Sequence, residues 1–344
     1  MDNSLDDSDG PITFEDLGLT RSDPTKQTLI GKMRTIGSLT KCEWLFFAIS
    51  LASLLASFGL VIQRLATLSK TSDDYTFAIL VMITTGFCFY YVLRGILQES
   101  LYEILVFIAT VVILFIYCVA NYIVSTDGTI KLVRLIGISV IGPILIILGL
   151  WICKGYKEGG NLVYRTVGAN SELQSICRTL LQALSFSVFD LQLQVSIIVL
   201  VLKNGTKLSE DEKIVLGVGS AIAFIYFLTV FISMKYEVRF GIYIFWLLSV
   251  FEPGYIIYKV YAVHKSKQYS SLLRDCFYGA AIIALVIRLL FIVNSIFVYR
   301  NFGKGLKERV YGIEEERRRT ISSEDVAPTS AGNTPTKDNV NNPV

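Results

Sequence analysis

The chain has 344 residues, of which 53% are hydrophobic and 18% charged, where a soluble domain carries about 25% charged residues. Its net charge of +3 is close to neutral for this length and points to no nucleic-acid partner. The apolar excess falls in long runs, which excludes an ordinary soluble globular fold.

In chain order, residues 1–42 read as a polar cytoplasmic tail, acidic through Asp23 and basic after it. The first apolar run, about Trp44–Leu65, follows that tail and is expected to insert as a signal anchor rather than to be cleaved as a leader. Further runs follow at about Tyr75–Leu93, Leu101–Val124 and Leu135–Cys153. After a longer gap come about Leu180–Leu202, Ile214–Met234, Phe240–Val263 and Phe277–Tyr299. Each approaches the roughly 20 apolar residues with which a helix crosses a hydrocarbon core of about 30 Å. None alternates as a barrel strand does, and helices satisfy their own backbone in lipid. The expected fold is an all-α polytopic transmembrane bundle of eight spans over residues 43–302, with both termini cytoplasmic.

Lys and Arg set that orientation, because they are commoner beside the spans on the side shared with the N-terminus. Arg94, Lys154, Lys157, Lys235 and Arg239 illustrate the bias. The sequon Asn204-Gly205-Thr206 then falls outside, very close to the fifth span. Four starts carry capping-box spacing: Thr40/Glu43, Ser100/Glu103, Ser171/Gln174 and Ser209/Glu212. In each, a hydroxyl accepts from first-turn amides while a side chain three residues on reaches back. Ser171 starts the fifth helix ahead of the membrane.

The connection 154–178 is polar, contains Gly155, Gly159, Gly160 and Gly168, and divides the chain into two groups of four helices. No repeat relates the groups, since Gly142-Pro143 and Pro253-Gly254 do not correspond. Residues 303–344 form a cytoplasmic tail that begins basic and is expected to be largely disordered. Thr320 follows Arg317-Arg318-Arg319, and Ser322 precedes Asp325; both are candidate phosphorylation sites, where phosphate would offset the basic run. Cys88 and Cys118 lie inside apolar runs, and Cys42, Cys153 and Cys177 on the cytoplasmic side, so no external disulfide framework is expected.

Small residues recur at four-residue spacing in Ala48, Ala52 and Ala56, in Gly217/Ala221 and Gly219/Ala223, and in Ala280/Ala284. Such spacing lets helix backbones approach where lipid provides no drive to associate. Packing within one bundle is the plain reading, and dimerisation through the first span the other.

Asp190, Glu252 and Arg288 each stand near the middle of a span. Helical rise places them within roughly 5 Å of one depth. A charge at mid-membrane costs at least about 2.5–3.5 kcal/mol and normally faces a partner or a wet space. The sequence therefore predicts a cluster in which Arg288 bridges Asp190 and Glu252. Ser187, Asp190 and Gln194 share one helical face, and Gln182, Ser185, Gln192 and Ser196 share another, so the fifth helix belongs inside the bundle. Pro253 and Gly254 directly follow Glu252 and predict a kink there, because proline removes a backbone donor and clashes with the preceding turn. Two carboxylates against one guanidinium leave a negative charge that a proton, water or a cation must meet. That points to transport of a small solute or ion. A structural clamp within a signalling receptor or scaffold is the alternative.

An enzyme is not expected. His264 is the one histidine and reads as a solvated surface residue, so neither a multi-histidine zinc site nor a bis-histidine haem site can be built. Gly137-Ile138-Ser139 is a fragment of a serine-nucleophile motif without a base, and no phosphate-binding glycine loop is present. No metal and no cofactor are called for. The lipid bilayer, of the plasma membrane or an endomembrane, is the expected partner.

The Phe189-Asp190-Leu191-Gln192-Leu193-Gln194 stretch, the long connection before it and the eight-span layout resemble an uncharacterised family of invertebrate multi-pass proteins, known as a domain of unknown function. The likeness covers about Glu43–Gly303. It implies the membrane fold and no particular activity.

Overall fold

The computed structural model describes residues 25–28, 31–34, 37, 39–68, 73–124, 129–159, 163–164, 167, 170–201, 210–265 and 271–306. Asn204, Ser209, Thr320 and Ser322 lie outside the described residues. Before the bundle comes a short antiparallel hairpin, β1 (Thr25–Thr28) and β2 (Gly31–Arg34), with Thr25 opposite Arg34 and Thr28 opposite Gly31. This departs from a purely helical expectation. Two residues separate the strands, the commonest hairpin connection.

The first half of the bundle is α1 (Lys41–Thr67), α2 (Asp73–Leu97), α3 (Leu101–Val124) and α4 (Thr129–Gly159). The second half is α5 (Ser171–Leu200), α6 (Glu210–Tyr236), α7 (Arg239–Ser249), α8 (Phe251–Lys265) and α9 (Ser271–Arg300). Among the described residues eight helical spans are long and apolar enough to cross a membrane, with α7 and α8 together making the seventh. The chain is a multi-pass membrane protein. Its helices α4 and α5 overrun the apolar runs, so much of the connection 154–178 is helical, and the stretch between the two helices is confined to residues 160–170.

Caps fix several boundaries. Thr40 and Glu43 form the reciprocal capping box expected of them, with Thr40 N donating to Glu43 Oε2 at 2.7 Å. At α5 the cap sits one residue earlier than the sequence predicts. Asn170 Oδ1 accepts from the amides of Glu172 and Leu173, and Ser171 becomes the first helical residue. An Asn side chain is as good a cap as Ser, so the pattern at Ser171/Gln174 was a near miss. Between α2 and α3 the chain turns within three residues. Glu99 takes a left-handed φ of 48°, and Gly95 lets Ile104 approach so closely that a Cβ would lie 2.8 Å from Ile104 Cγ1.

Helix α5 is the axis of the molecule. In its most apolar window 83% of residues are buried, against 22–50% for the other spans. It packs on α9 and α6 in its own half and on α2 and α3 in the other. Its polar residues are satisfied inside: Ser185, Ser187 and Ser196 donate to carbonyls of their own helix, and Gln192 Oε1 accepts from Tyr91 of α2 at 2.8 Å. The two-faced polarity of this helix therefore does reflect an interior position.

The small-residue stripes divide. Ala223 and Ala284 are buried and Gly219 and Ala280 half-buried, whereas Gly217 and Ala221 of α6, and Ala48, Ala52 and Ala56 on the outer face of α1, are exposed. The expectation that the α1 stripe packs inside one bundle is wrong. The core side of α1 is instead Phe46, Ser50, Leu54 and Val61, a run at helical spacing that begins two residues from the alanine register. The tightest small-residue approach is at Gly241, where a Cβ would come 2.8 Å from Ser233 Cβ.

Candidate functional site

The site forms where α5, α6, α8 and α9 converge. Asp190 and Gln194 are one helical turn apart on α5, and Gln194 Nε2 donates to Asp190 Oδ2 at 2.7 Å, an i,i+4 pair. Arg288 reaches across from α9 to place Nη2 at 2.8 Å from Asp190 Oδ2, and the same nitrogen is ion-paired with Glu252 Oε2. The sequence-predicted cluster is assembled, with Arg288 between the two acids.

Arg288 is held further by residues that the sequence did not single out. Its Nη1 donates to the Tyr226 hydroxyl, and its guanidinium carbon stands 4.9 Å from the Tyr226 ring centroid. That hydroxyl also shares a 2.7 Å hydrogen bond with Ser249 Oγ. Tyr226 thus offers the cation both a lone pair and a π face. Nη2 meets the carboxylates as an ion pair rather than through a well-directed hydrogen bond, and Nε has no partner among the described residues. A tyrosine in an apolar run is ordinary, so only the position of Tyr226 opposite Arg288 reveals its role.

The position of Glu252 follows from its neighbours. Pro253 has no amide hydrogen to give the carbonyl of Ser249 and clashes with that turn. The seventh span accordingly breaks at Val250, ending α7 at Ser249 and restarting as α8 at Phe251. The expected kink is realised as a helix break, and it lies just before Glu252 rather than after it. Proline is at home in the first turn of the new helix. Gly254 faces open space and makes no close approach.

The three charges are not equally enclosed. The side chains of Arg288 and Asp190 are 1% and 4% exposed, and that of Glu252 is 18% exposed. Glu252 borders a cavity of about 420 Å³, whose other polar wall residues are Gln194 and the tyrosines Tyr226 and Tyr255. The remaining wall is apolar or aromatic and includes Ile198, Ile222 and Phe251. That volume lies within the range of small-molecule sites.

A second buried ionic cluster was not foreseen. Arg94, read as a flank charge, is 6% exposed at its side chain and pairs with Glu103, 2% exposed, at 3.3 Å. Arg94 Nε donates to Gln98 Oε1 at 2.8 Å, and Ser100 Oγ donates to Glu103. The Ser100/Glu103 spacing was legible, but as a helix start. The tight α2–α3 turn is what swings Arg94 back onto it. Elsewhere, Ser295 accepts from Trp246 Nε1 at 2.8 Å, and His264 is exposed with Nδ1 3.3 Å from the Tyr278 hydroxyl. Among the described residues no group of His, Cys, Asp and Glu is arranged to hold a metal ion, and all six cysteines are free thiols.

The profile of a family described as Domain of unknown function (DUF7789) matches residues 30–154 and 167–297. The chain belongs to this family. The two matched segments correspond to the two halves of the bundle, and Asp190, Glu252 and Arg288 all fall in the second. No curated protein and no solved structure is similar enough to the chain to match it.

Proposed function

We propose that this chain carries a small solute or ion across its membrane, with Asp190, Glu252, Arg288 and Gln194 as the binding site. One observation supports this most. Two carboxylates share a single guanidinium, and the more exposed of them, Glu252, borders a cavity of about 420 Å³. One Arg–Asp pair already gives a buried arginine its counter-charge, as an intramembrane ion requires. The second carboxylate adds a negative charge at the place where a solute would meet it. A proton or a cation matches that charge, and its binding and release provide the two states that transport needs. No covalent bond is made or broken in such a cycle, in keeping with a chain read as a non-enzyme.

A second reading is a receptor or scaffold in which the charges are a clamp. The observation favouring it is that Arg288 of α9 contacts α5, α6 and α8 at once. Glu252→Gln separates the readings, since it keeps the shape and the Arg288–Asp190 pair. Proteoliposomes on a solid-supported membrane are challenged with a panel of small cations and zwitterions. A transporter gives currents for some member of the panel, reduced at least tenfold in Glu252→Gln. Equal currents in parent and variant, or none in the parent, would count against transport.

The same reading places both termini in the cytoplasm, from the even number of spans and the bias of Lys and Arg. Epitope tags at each end of surface-expressed protein are expected to bind antibody only after permeabilisation. A tag reached on intact cells would reverse the orientation.

A further inference from the structure

We infer that the cavity beside Glu252 admits its ligand sideways from the lipid, and that the ligand is a lipophilic ammonium: a protonated amine on an apolar body. The inference rests on reading Glu252 as part of a binding site and adds the chemical class of what binds. Three observations carry it.

The first is charge. Glu252 makes its one ion pair through Oε2, and Oε1 has no partner among the described residues. Gln194 commits its amide nitrogen to Asp190, which leaves its amide oxygen as an acceptor in the same wall. The polar end of the cavity is therefore rich in acceptors and bears a surplus negative charge. It suits a donor cation.

The second is the rest of the lining. A bare hard cation takes six or more oxygen ligands, and the cavity offers it only Glu252, Gln194, Tyr255 and the already engaged Tyr226 hydroxyl. An ammonium needs fewer acceptors and gains from aromatic faces, which Tyr226, Phe251 and Tyr255 supply. The apolar wall runs along α6 from Tyr226 to Val218. At 1.5 Å per residue that is about 12 Å of greasy surface leading away from the charge, on the side of the α5–α6 connection.

The third is the mouth. Val218, Ile222 and Phe251 line the cavity and are 53%, 60% and 67% exposed. Exposed apolar side chains on membrane-spanning helices face acyl chains, so the entrance between α6 and α8 opens toward lipid. A ligand dissolved in the bilayer reaches Glu252 without crossing a polar vestibule.

The test uses the full-length protein in nonionic detergent and three probes with the same tail: octylammonium, octanol and octanoate. Octylammonium is expected to raise the melting temperature by about 5 °C when present at a hundred times its Kd, and the other two are not. Glu252→Gln should abolish the shift. Val218→Phe, which crowds the mouth and leaves every charge in place, should weaken octylammonium binding at least fivefold. An equal shift with octanol would mean that only a tail is bound and would overturn the ammonium assignment. No shift with any probe, or an unchanged shift in Glu252→Gln, would overturn the site. Failure here is distinct from failure of transport. A protein whose currents depend on Glu252 but which ignores octylammonium keeps the transporter reading and loses this one. A protein that binds octylammonium through Glu252 but carries no current keeps the site and loses transport.

Discussion

At the scale of single residues, the described residues include two buried ionic clusters, each built around one arginine. Arg94 of α2 pairs with Glu103 of α3, and its guanidinium lies 6.0 Å from the centroid of the Phe231 ring of α6. The ion pair lies within the first half of the bundle, and the contact with Phe231 reaches the second. Removing one member leaves a buried charge unmatched, at a cost of about 3–5 kcal/mol, whereas replacing both by apolar residues is often neutral. Arg94→Met is therefore expected to lower the melting temperature in detergent sharply, and Arg94→Met with Glu103→Leu to recover most of the loss. If the single variant is as stable as the parent, the pair contributes nothing to the fold. The difference in legibility between the two clusters is instructive. Asp190, Glu252 and Arg288 stood out because each interrupts an apolar run at mid-depth. Arg94 sits at the end of its run, where basic residues are common, and only the left-handed turn at Glu99 brings it inward. Tyr226 carried no signal at all, because nothing in a linear sequence says which hydroxyl will face a guanidinium.

At the scale of elements, hydropathy located all eight spans to within a few residues, since a helix in lipid must be apolar over the thickness of the membrane. It located the helix ends less well. Helices α4, α5 and α9 continue past their apolar runs, and beyond the membrane water tolerates polar residues on a helix without demanding that it stop. Local chemistry did better there. The Thr40/Glu43 box holds as expected, while at Ser171 the cap passes to the preceding Asn170, an equally good acceptor. Proline marked the helix break, but its effect falls on the turn before it, so the seventh span parts at Val250. The exposed alanines of α1 show the limit of pattern reading. Four-residue spacing says that a face permits close approach; it does not say that another helix of the same chain lies there. Membership of the family described as Domain of unknown function (DUF7789) agrees with the membrane fold that the hydropathy implies and leaves the pairing of helices to the structure.

At the scale of the whole molecule, the central helix α5 organises the bundle and also carries one of the three clustered charges, Asp190, together with Gln194. It packs against both halves, and Asp190 and Gln194 lie on its α9 side while Gln192 faces Tyr91 of α2. Any movement of α8 and α9 relative to α5 would have to pass through the Arg288 ion pairs, which is what a binding site that controls a conformational change requires. Whether the proposed binding site is also more than an intramembrane contact is decided by comparing stability with activity. Arg288→Leu alone leaves two buried acids without a cation and is expected to destabilise the protein by about 3–5 kcal/mol. Adding Asp190→Asn and Glu252→Gln removes the charges, retains the polar shapes and should restore the melting temperature to near that of the parent. This triple variant is expected to be stable and to give no transport current in proteoliposomes. A triple variant that is stable and fully active would make the cluster a clamp, and an Arg288→Leu protein as stable as the parent would mean that the three charges do not depend on one another.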